Sequence, residues 1–157
     1  MGLGFHERRR QVKVSSKSRY ALMALVELDL RTRGRARPVR LNDLAGERAI
    51  PEQFLEQLFA GLRRAGLVIG HRGVGGGFTF ARRPDQLTVL DVVQALEGMP
   101  EWDGCITAGC DLEEHAGAGA VWRAAGAAYE GVLARTTVSD LAERELQLGG
   151  GGPMFEI

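Results

Sequence analysis

Between positions 54 and 62 the apolar residues Phe54, Leu55, Leu58, Phe59 and Leu62 recur at steps of three and four. That spacing gathers them on one stripe of a helix. The opposite face carries Glu52, Gln53, Glu56, Gln57, Arg63 and Arg64. Pro51 suits the first helical position, where a missing N–H costs nothing, and Gly66 is free to take the positive φ that ends a helix. The pattern therefore predicts a helix over Pro51–Ala65, preceded by a short helix over Leu41–Glu47. Downstream, Leu67-Val68-Ile69 is a short β-branched run, and Phe78-Thr79-Phe80 alternates as a half-exposed strand does. Between the two strands lies Gly70–Gly77, rich in glycine and carrying Arg72; Arg82 and Arg83 follow the second strand. Helix, turn, helix and two strands, in that order, predict a winged helix-turn-helix within residues 38–83.

The flanking segments complete a mainly α fold. Residues 1–11 are a basic polar extension with no apolar periodicity, expected to be disordered; a misassigned start codon is the alternative. Ser15 or Ser16 can cap a helix of about 16 residues ending near Gly34. Its apolar residues Tyr20, Leu22, Leu25, Val26, Leu28 and Leu30 lie nearly all round, so it should be buried on several sides. A basic loop from Arg31 to Arg37 leads into Pro38. After the strands, Leu87–Gly98 reads as a helix closed by its glycine. A loop of about 18 residues, Met99 to Ala116, follows, and loops of that length are functional or disordered. The helix expected from Ala118 to Arg135 carries Val121, Trp122, Ala125, Tyr129, Val132 and Leu133 on one stripe. No partner for that stripe remains in so short a chain, so it predicts a two-fold dimer interface. Thr137-Val138-Ser139-Asp140 resembles a capping box that opens a last short helix. The expected organisation is a basic extension (1–11), a DNA-binding domain (12–98), a cysteine-containing loop (99–117), a dimerisation helix with the last helix (118–148), and a tail (149–157).

Composition narrows the function. The 157-residue chain has no formal net charge, yet residues 1–100 hold 17 Lys and Arg against 10 Asp and Glu, while residues 101–157 hold 3 against 10. A basic part with a balance of +7 is thus joined to an acidic part with a balance of −7. Glutamine can pair with adenine, glutamate can accept from the cytosine amino group, and arginine can take phosphate or guanine. Gln53, Phe54 and Glu56 are accordingly the expected base-reading residues, and Gln57, Arg63, Arg64, Arg72, Lys17 and Arg19 complete the DNA-binding set. The glycine-rich loop lacks the Lys-Ser/Thr of a phosphate-binding Walker loop and is followed by a strand, so a wing tip is its reading. The three histidines, His6, His71 and His115, fall in extension, wing and loop without a nucleophile or carboxylate dyad beside them, which argues against an enzyme. A small redox or metal-binding protein using the two cysteines is the rival class. No apolar run approaches 18 residues, the start lacks a signal-peptide core, and two cysteines suit a reducing cytoplasm.

The segments VKVSSKSRYALMALVEL, LEQLFAGLRRAGLV, HRGVGGGF, LTVLDVVQALEG and TTVSDLAE, with Cys105 and Cys110 ahead of Val121-Trp122, closely resemble the Rrf2 family of bacterial transcriptional regulators over roughly residues 12–145. The resemblance implies a dimeric winged-helix protein, often a repressor, with a sensing loop between the wing domain and a long dimerisation helix. In cluster-binding members three loop cysteines and one further ligand hold an iron–sulfur cluster. A cysteine-metabolism repressor of the family lacks the cluster and is controlled by a complex with cysteine synthase. Here Ala116 stands where the third cysteine would be, Gly119 at a histidine-ligand position, and Arg19 at an acidic-ligand position. Cys105, Cys110 and His115 form a C-x4-C-x4-H set that Asp111, Glu113 or Glu114 could complete. Histidine replaces thiolates in some clusters, and thiolates favour iron–sulfur or zinc over magnesium or calcium. Three readings stay open: a 2Fe–2S centre, a thiol–disulfide or zinc role, and a loop that binds nothing. The tail Met154–Ile157 is similar to that of the cluster-free class, with Phe155 and Ile157 as residues for cysteine synthase; an incidental tail is the alternative.

Overall fold

The structure, a computed structural model, describes residues 15–33, 35, 37–98 and 116–149. Helix α1 (Ser16–Thr32) is its hub. Ser15 caps α1, its Oγ accepting from the Lys17 amide at 3.2 Å, and Arg33 ends it in the left-handed region at φ 43°. Ala21, Ala24, Leu25 and Leu28 of α1 are fully buried, as the all-round apolar pattern predicts. The reason is that α1 packs against four other helices: α2 (Leu41–Glu47), α3 (Glu52–Arg64), α4 (Val89–Glu97) and α6 (Val138–Gln147). The alanines let neighbouring backbones come close, and the leucines fill the space between them.

Pro51 takes the position before the first turn of α3 rather than within it, with ψ 125°, so α3 begins at Glu52. Its stripe goes inward as expected: Leu55, Leu58, Phe59 and Leu62 are buried. Gly66 has φ 72°, the left-handed stop that the sequence reading assigned to it. Strands β1 (Val68–His71) and β2 (Gly77–Phe80) pair antiparallel, with Val68 opposite Phe80 and His71 opposite Gly77. The pairing takes in three residues of the expected loop, Gly70, His71 and Gly77, leaving Arg72–Gly76 as the turn. Glycine and histidine add backbone hydrogen bonds without adding an apolar signal, so periodicity misses them. Val39 closes the base of this wing through a bridge to Phe78, with N···O distances of 3.0 and 2.8 Å. Gly77 is required there, because a Cβ on it would lie 2.3 Å from the Val39 carbonyl oxygen.

Two capping boxes join the rest. Thr88 and Asp91 cap α4 reciprocally, at 3.1 and 2.9 Å, and Thr137 and Asp140 cap α6 at 3.1 and 2.8 Å. The first box was not foreseen, although Thr88-Val89-Leu90-Asp91 repeats the pattern of Thr137-Val138-Ser139-Asp140. The boxes lie side by side: the Val89 amide donates to Thr136 and the Val138 amide to Leu87, each at 2.8 Å. A short 3-10 turn, Pro84–Gln86, also absent from the sequence reading, links the wing to α4. Helix α5 (Ala116–Arg135) starts two residues earlier than expected and packs on α4.

One ion cluster fastens the helix-turn-helix to this frame. Arg48, at the end of α2, pairs with Glu27 of α1 at 3.0 Å and with Glu145 of α6; Arg31 also reaches Glu27 at 2.5 Å. Glu27 and Glu145 are each 8% exposed. Removing one member of a buried ion pair leaves the other charge desolvated and uncompensated. Arg48→Met is therefore expected to destabilise the fold by about 3 kcal/mol, measured by urea unfolding. Glu145→Gln should cost less, because its amide oxygen still accepts from Arg48.

The hydrogen bonds at Glu97 generate an acid dependence. Burial opposes ionisation of Glu97, but hydrogen bonds from the Ser15 and Ser18 side chains and amides outweigh it and hold the carboxyl below its usual range. A lowered folded-state pKa gives stability that is present above the unfolded value and is lost as pH falls through the folded one. Glu97→Gln should flatten the fall of stability below about pH 4.5, read from urea midpoints across pH.

Candidate nucleic-acid interface

The polar face of α3 is fully presented to solvent. Gln53, Glu56, Gln57, Arg63 and Arg64 are all exposed along it, and Arg63 and Arg64 sit in its last turn. Phe54 is placed differently from the rest of the expected base-side set. Its half-buried ring meets Tyr20 of α1 edge-on, with centroids 5.7 Å apart, so most of it packs on the frame. A phenylalanine on the border of an apolar stripe can serve either face. Only the position of Tyr20 decides between them.

The wing projects beside this face. Arg72 is exposed, and Val74 at the tip is bare to solvent at 109% relative exposure. His71 Nε2 and Thr79 Oγ1 lie 2.8 Å apart, a cross-strand hydrogen bond just below the turn. Phe78 rests against Phe59 of α3, centroids 4.9 Å apart, so the wing is held against α3 by core packing. Arg82 and Arg83 are not available in the same way: Arg82 pairs with Asp91 at 2.9 Å and Arg83 with Asp85.

Two arginines missed by the sequence reading belong to the same surface. Arg37 and Arg40 line a shallow cleft of about 230 Å³ between the start of α2 and the wing residues Gly75 and Gly76. The available signal was basic residues directly ahead of the short helix that opens the motif. Lys17 and Arg19 are exposed in the first turn of α1. Ser15 and Ser18 of that turn both donate to Glu97 Oε1, Ser15 at 2.6 Å, which anchors it to the end of α4.

The remaining expected residues divide into two groups. On α5, Val121, Trp122 and Val132 are 64%, 57% and 56% exposed, Ala125 is exposed, and Tyr129 is half-buried. Burial first, and then the negative charge of Glu97, push the Tyr129 hydroxyl above its usual pKa. Cys105, Cys110 and His115, with Phe155 and Ile157, lie outside the described residues. Among the described residues no group of His, Cys, Asp and Glu could hold a metal ion, and no helix is long and apolar enough to cross a membrane.

Residues 14–144 match the Rrf2 family, described as an iron-dependent transcriptional regulator. The chain belongs to the Rrf2 family. The transcriptional regulator IscR of Cereibacter sphaeroides is 42% identical over 86 residues, which are 55% of this chain and 56% of that protein, so this match spans little more than half of its length. The solved structure of CymR, the global cysteine regulator of B. subtilis, shares the fold with a TM-score of 0.70 at 33% identity, covering 85% of this chain and 98% of that one. IscR of T. potens gives a TM-score of 0.68 at 30% identity, covering 91% and 95%. This Rrf2 protein is thus a DNA-binding transcriptional regulator with a winged-helix fold.

Replacing the wing arginine tests the interface. Arg72→Ala is expected to weaken binding to a promoter fragment and to lower the slope of log affinity against log salt by about one. Gln53→Ala should instead cost about 1–3 kcal/mol at one base pair and relax the preference there. Fluorescence anisotropy across salt concentrations and base substitutions measures both.

Proposed function

We propose that this chain acts as a homodimer that binds a dyad-symmetric operator and represses transcription in response to iron–sulfur, redox or sulfur status. The observation that carries this reading is the pairing of two surfaces on one rigid frame. One is the polar face of α3 flanked by the exposed wing; the other is the bare apolar stripe of α5. In a two-fold assembly the α3 helices enter successive major grooves about 34 Å apart. Gln53, Glu56 and Gln57 face base edges there, with Phe54 lending only its rim. Arg63, Arg64, Lys17, Arg19, Arg37 and Arg40 take phosphates, and Arg72 enters a minor groove.

The stripe of Val121, Trp122, Ala125, Tyr129 and Val132 supplies the subunit interface. A tryptophan more than half exposed beside two exposed valines is apolar surface that association removes from water. Trp122→Glu is expected to give a monomer by analytical ultracentrifugation and to lose about 100-fold in operator affinity, since a single half-site forfeits the second contact. A wild-type protein that is monomeric and binds at full affinity would refute the interface.

For sensing, the donor chemistry of the loop fits an iron–sulfur centre. Cys105 and Cys110 offer two thiolates and His115 an imidazole, with Asp111, Glu113 or Glu114 nearby in the chain. A 2Fe–2S group bound there would supply reversible electron transfer and sensitivity to oxidation. With two thiolates in place of the usual four, such a centre should be more labile than a four-thiolate one. Cys105→Ser and Cys110→Ser are each expected to abolish the visible absorption of anaerobically purified protein together with redox-dependent DNA binding.

Colourless wild-type protein would favour the second reading, which the likeness to the cysteine regulator CymR and the missing third cysteine support. There, control passes through cysteine synthase bound by Phe155 and Ile157. A cytoplasmic location follows from either reading.

A further inference from the structure

Behind the wing lies an open groove of about 870 Å³, walled by the end of α1, by Thr79–Asp85 and by α6. That volume is ordinary for a small-molecule site. Its floor holds Asp29, a carboxylate only 8% exposed. Asp29 accepts a hydrogen bond from Ser139, but it has no ion-pair partner among the described residues. Burial raises its pKa, the hydrogen bond from Ser139 and the nearby charge of Arg33 do not offset that rise, and the negative charges of Asp85 and Glu143 add to it.

The cations around the groove differ in their availability. Arg82 and Arg83 are engaged by Asp91 and Asp85, whereas Arg33 and Arg35 have no acidic partner within ion-pair distance among the described residues. Asp29 and Arg33 stand four apart, a spacing that makes neighbours on a helix. Arg33 leaves the helix in the left-handed region instead of pairing with the acid one turn below. A buried acid and two cations outside any ion pair among the described residues thus border one cavity, whose wall also holds Asp85, paired with Arg83, and Glu143. Leu30, Phe80 and Leu146 line the same groove and give it an apolar part.

We propose that this groove binds a small amphoteric ligand of the α-amino-acid class, its ammonium held by Asp29 and its carboxylate by Arg33 and Arg35. The apolar wall takes the ligand's side chain, which favours aliphatic or thioether members over charged ones. Desolvation strengthens the ammonium contact, because the ammonium neutralises a buried acid, while the exposed Arg33 and Arg35 meet the carboxylate at the solvent side. Thr79 and Phe80 belong to β2, so an occupied groove presses on the wing from behind. That regulatory consequence rests on the DNA-binding reading of the wing; the binding site itself does not.

The test uses the full chain, free of DNA, in calorimetric titration and thermal-shift assays. The probes are a panel of free amino acids, with the amine lacking the carboxylate and the acid lacking the ammonium as controls for each. The expected result is saturable binding of one or a few apolar amino acids, with neither half-molecule binding at the same concentration. Asp29→Asn, which keeps its shape and can still accept from Ser139, should weaken binding about 10- to 100-fold, as should Arg33→Ala. Unliganded melting temperatures near wild type establish that both variants fold. Absence of binding across the panel, equal binding of the half-molecules, or undiminished binding by Asp29→Asn would overturn the site. Operator affinity unchanged at saturating ligand would overturn the link to the wing.

Discussion

The guanidinium of Arg48 lies between two carboxylates that are almost withdrawn from water, Glu27 on α1 and Glu145 on α6. Arg48 belongs to the turn between α2 and α3, so these contacts join three parts of the chain at one point. Ion pairs of this kind contribute little net stability, because desolvation offsets their attraction. Their geometric demand is what counts: the cluster is tolerable only when all its members are in place. Glu145 Oε2 has no hydrogen-bond partner among the described residues, a sign that the arrangement is held against some cost. The orientation of α3 depends on this cluster together with the core beneath it.

The same logic extends outward from α1. A helix that is apolar nearly all round cannot sit at a surface, and here four helices cover it. The two capping boxes then bind α4 to α6 through backbone hydrogen bonds, and the Val39 bridge binds the wing to the chain ahead of α2. Recognition face and wing are therefore set relative to each other by packing and not by loops. Helix α5 stands apart from this economy, with a tryptophan and two valines left exposed.

Net charge describes this regulator poorly. The basic half reads as a broad DNA-facing surface, but Arg31, Arg48, Arg82 and Arg83 are engaged with acids inside the frame or along its edge. What faces outward around α3 and the wing is a smaller set: Lys17 and Arg19 at the start of α1, Arg37 and Arg40 ahead of α2, Arg63 and Arg64 at the end of α3, and Arg72 on the wing. The behaviour of each arginine follows from its neighbour, which is local for Arg31 and Arg83 but far away in sequence for Arg48.

Local signals determined a good deal unaided. The buried stripe of α3, the stop at Gly66, the cap at Thr137 and the all-round burial of α1 depend only on side-chain period and on the backbone freedom of single residues. These are properties of neighbours within one helical turn, so the chain states them directly. The order helix, turn, helix, strand, strand was legible for the same reason. Long-range pairings decided the rest. Phe54 turned toward Tyr20, the wing strands lengthened through glycine and histidine, and Thr88 met Thr137 across 49 positions of chain. The groove beneath the wing exists only because α1, β2 and α6 converge on it. Contacts of this kind are chosen by how whole elements pack against one another, and no local pattern encodes which distant surface an exposed or half-buried side chain will meet.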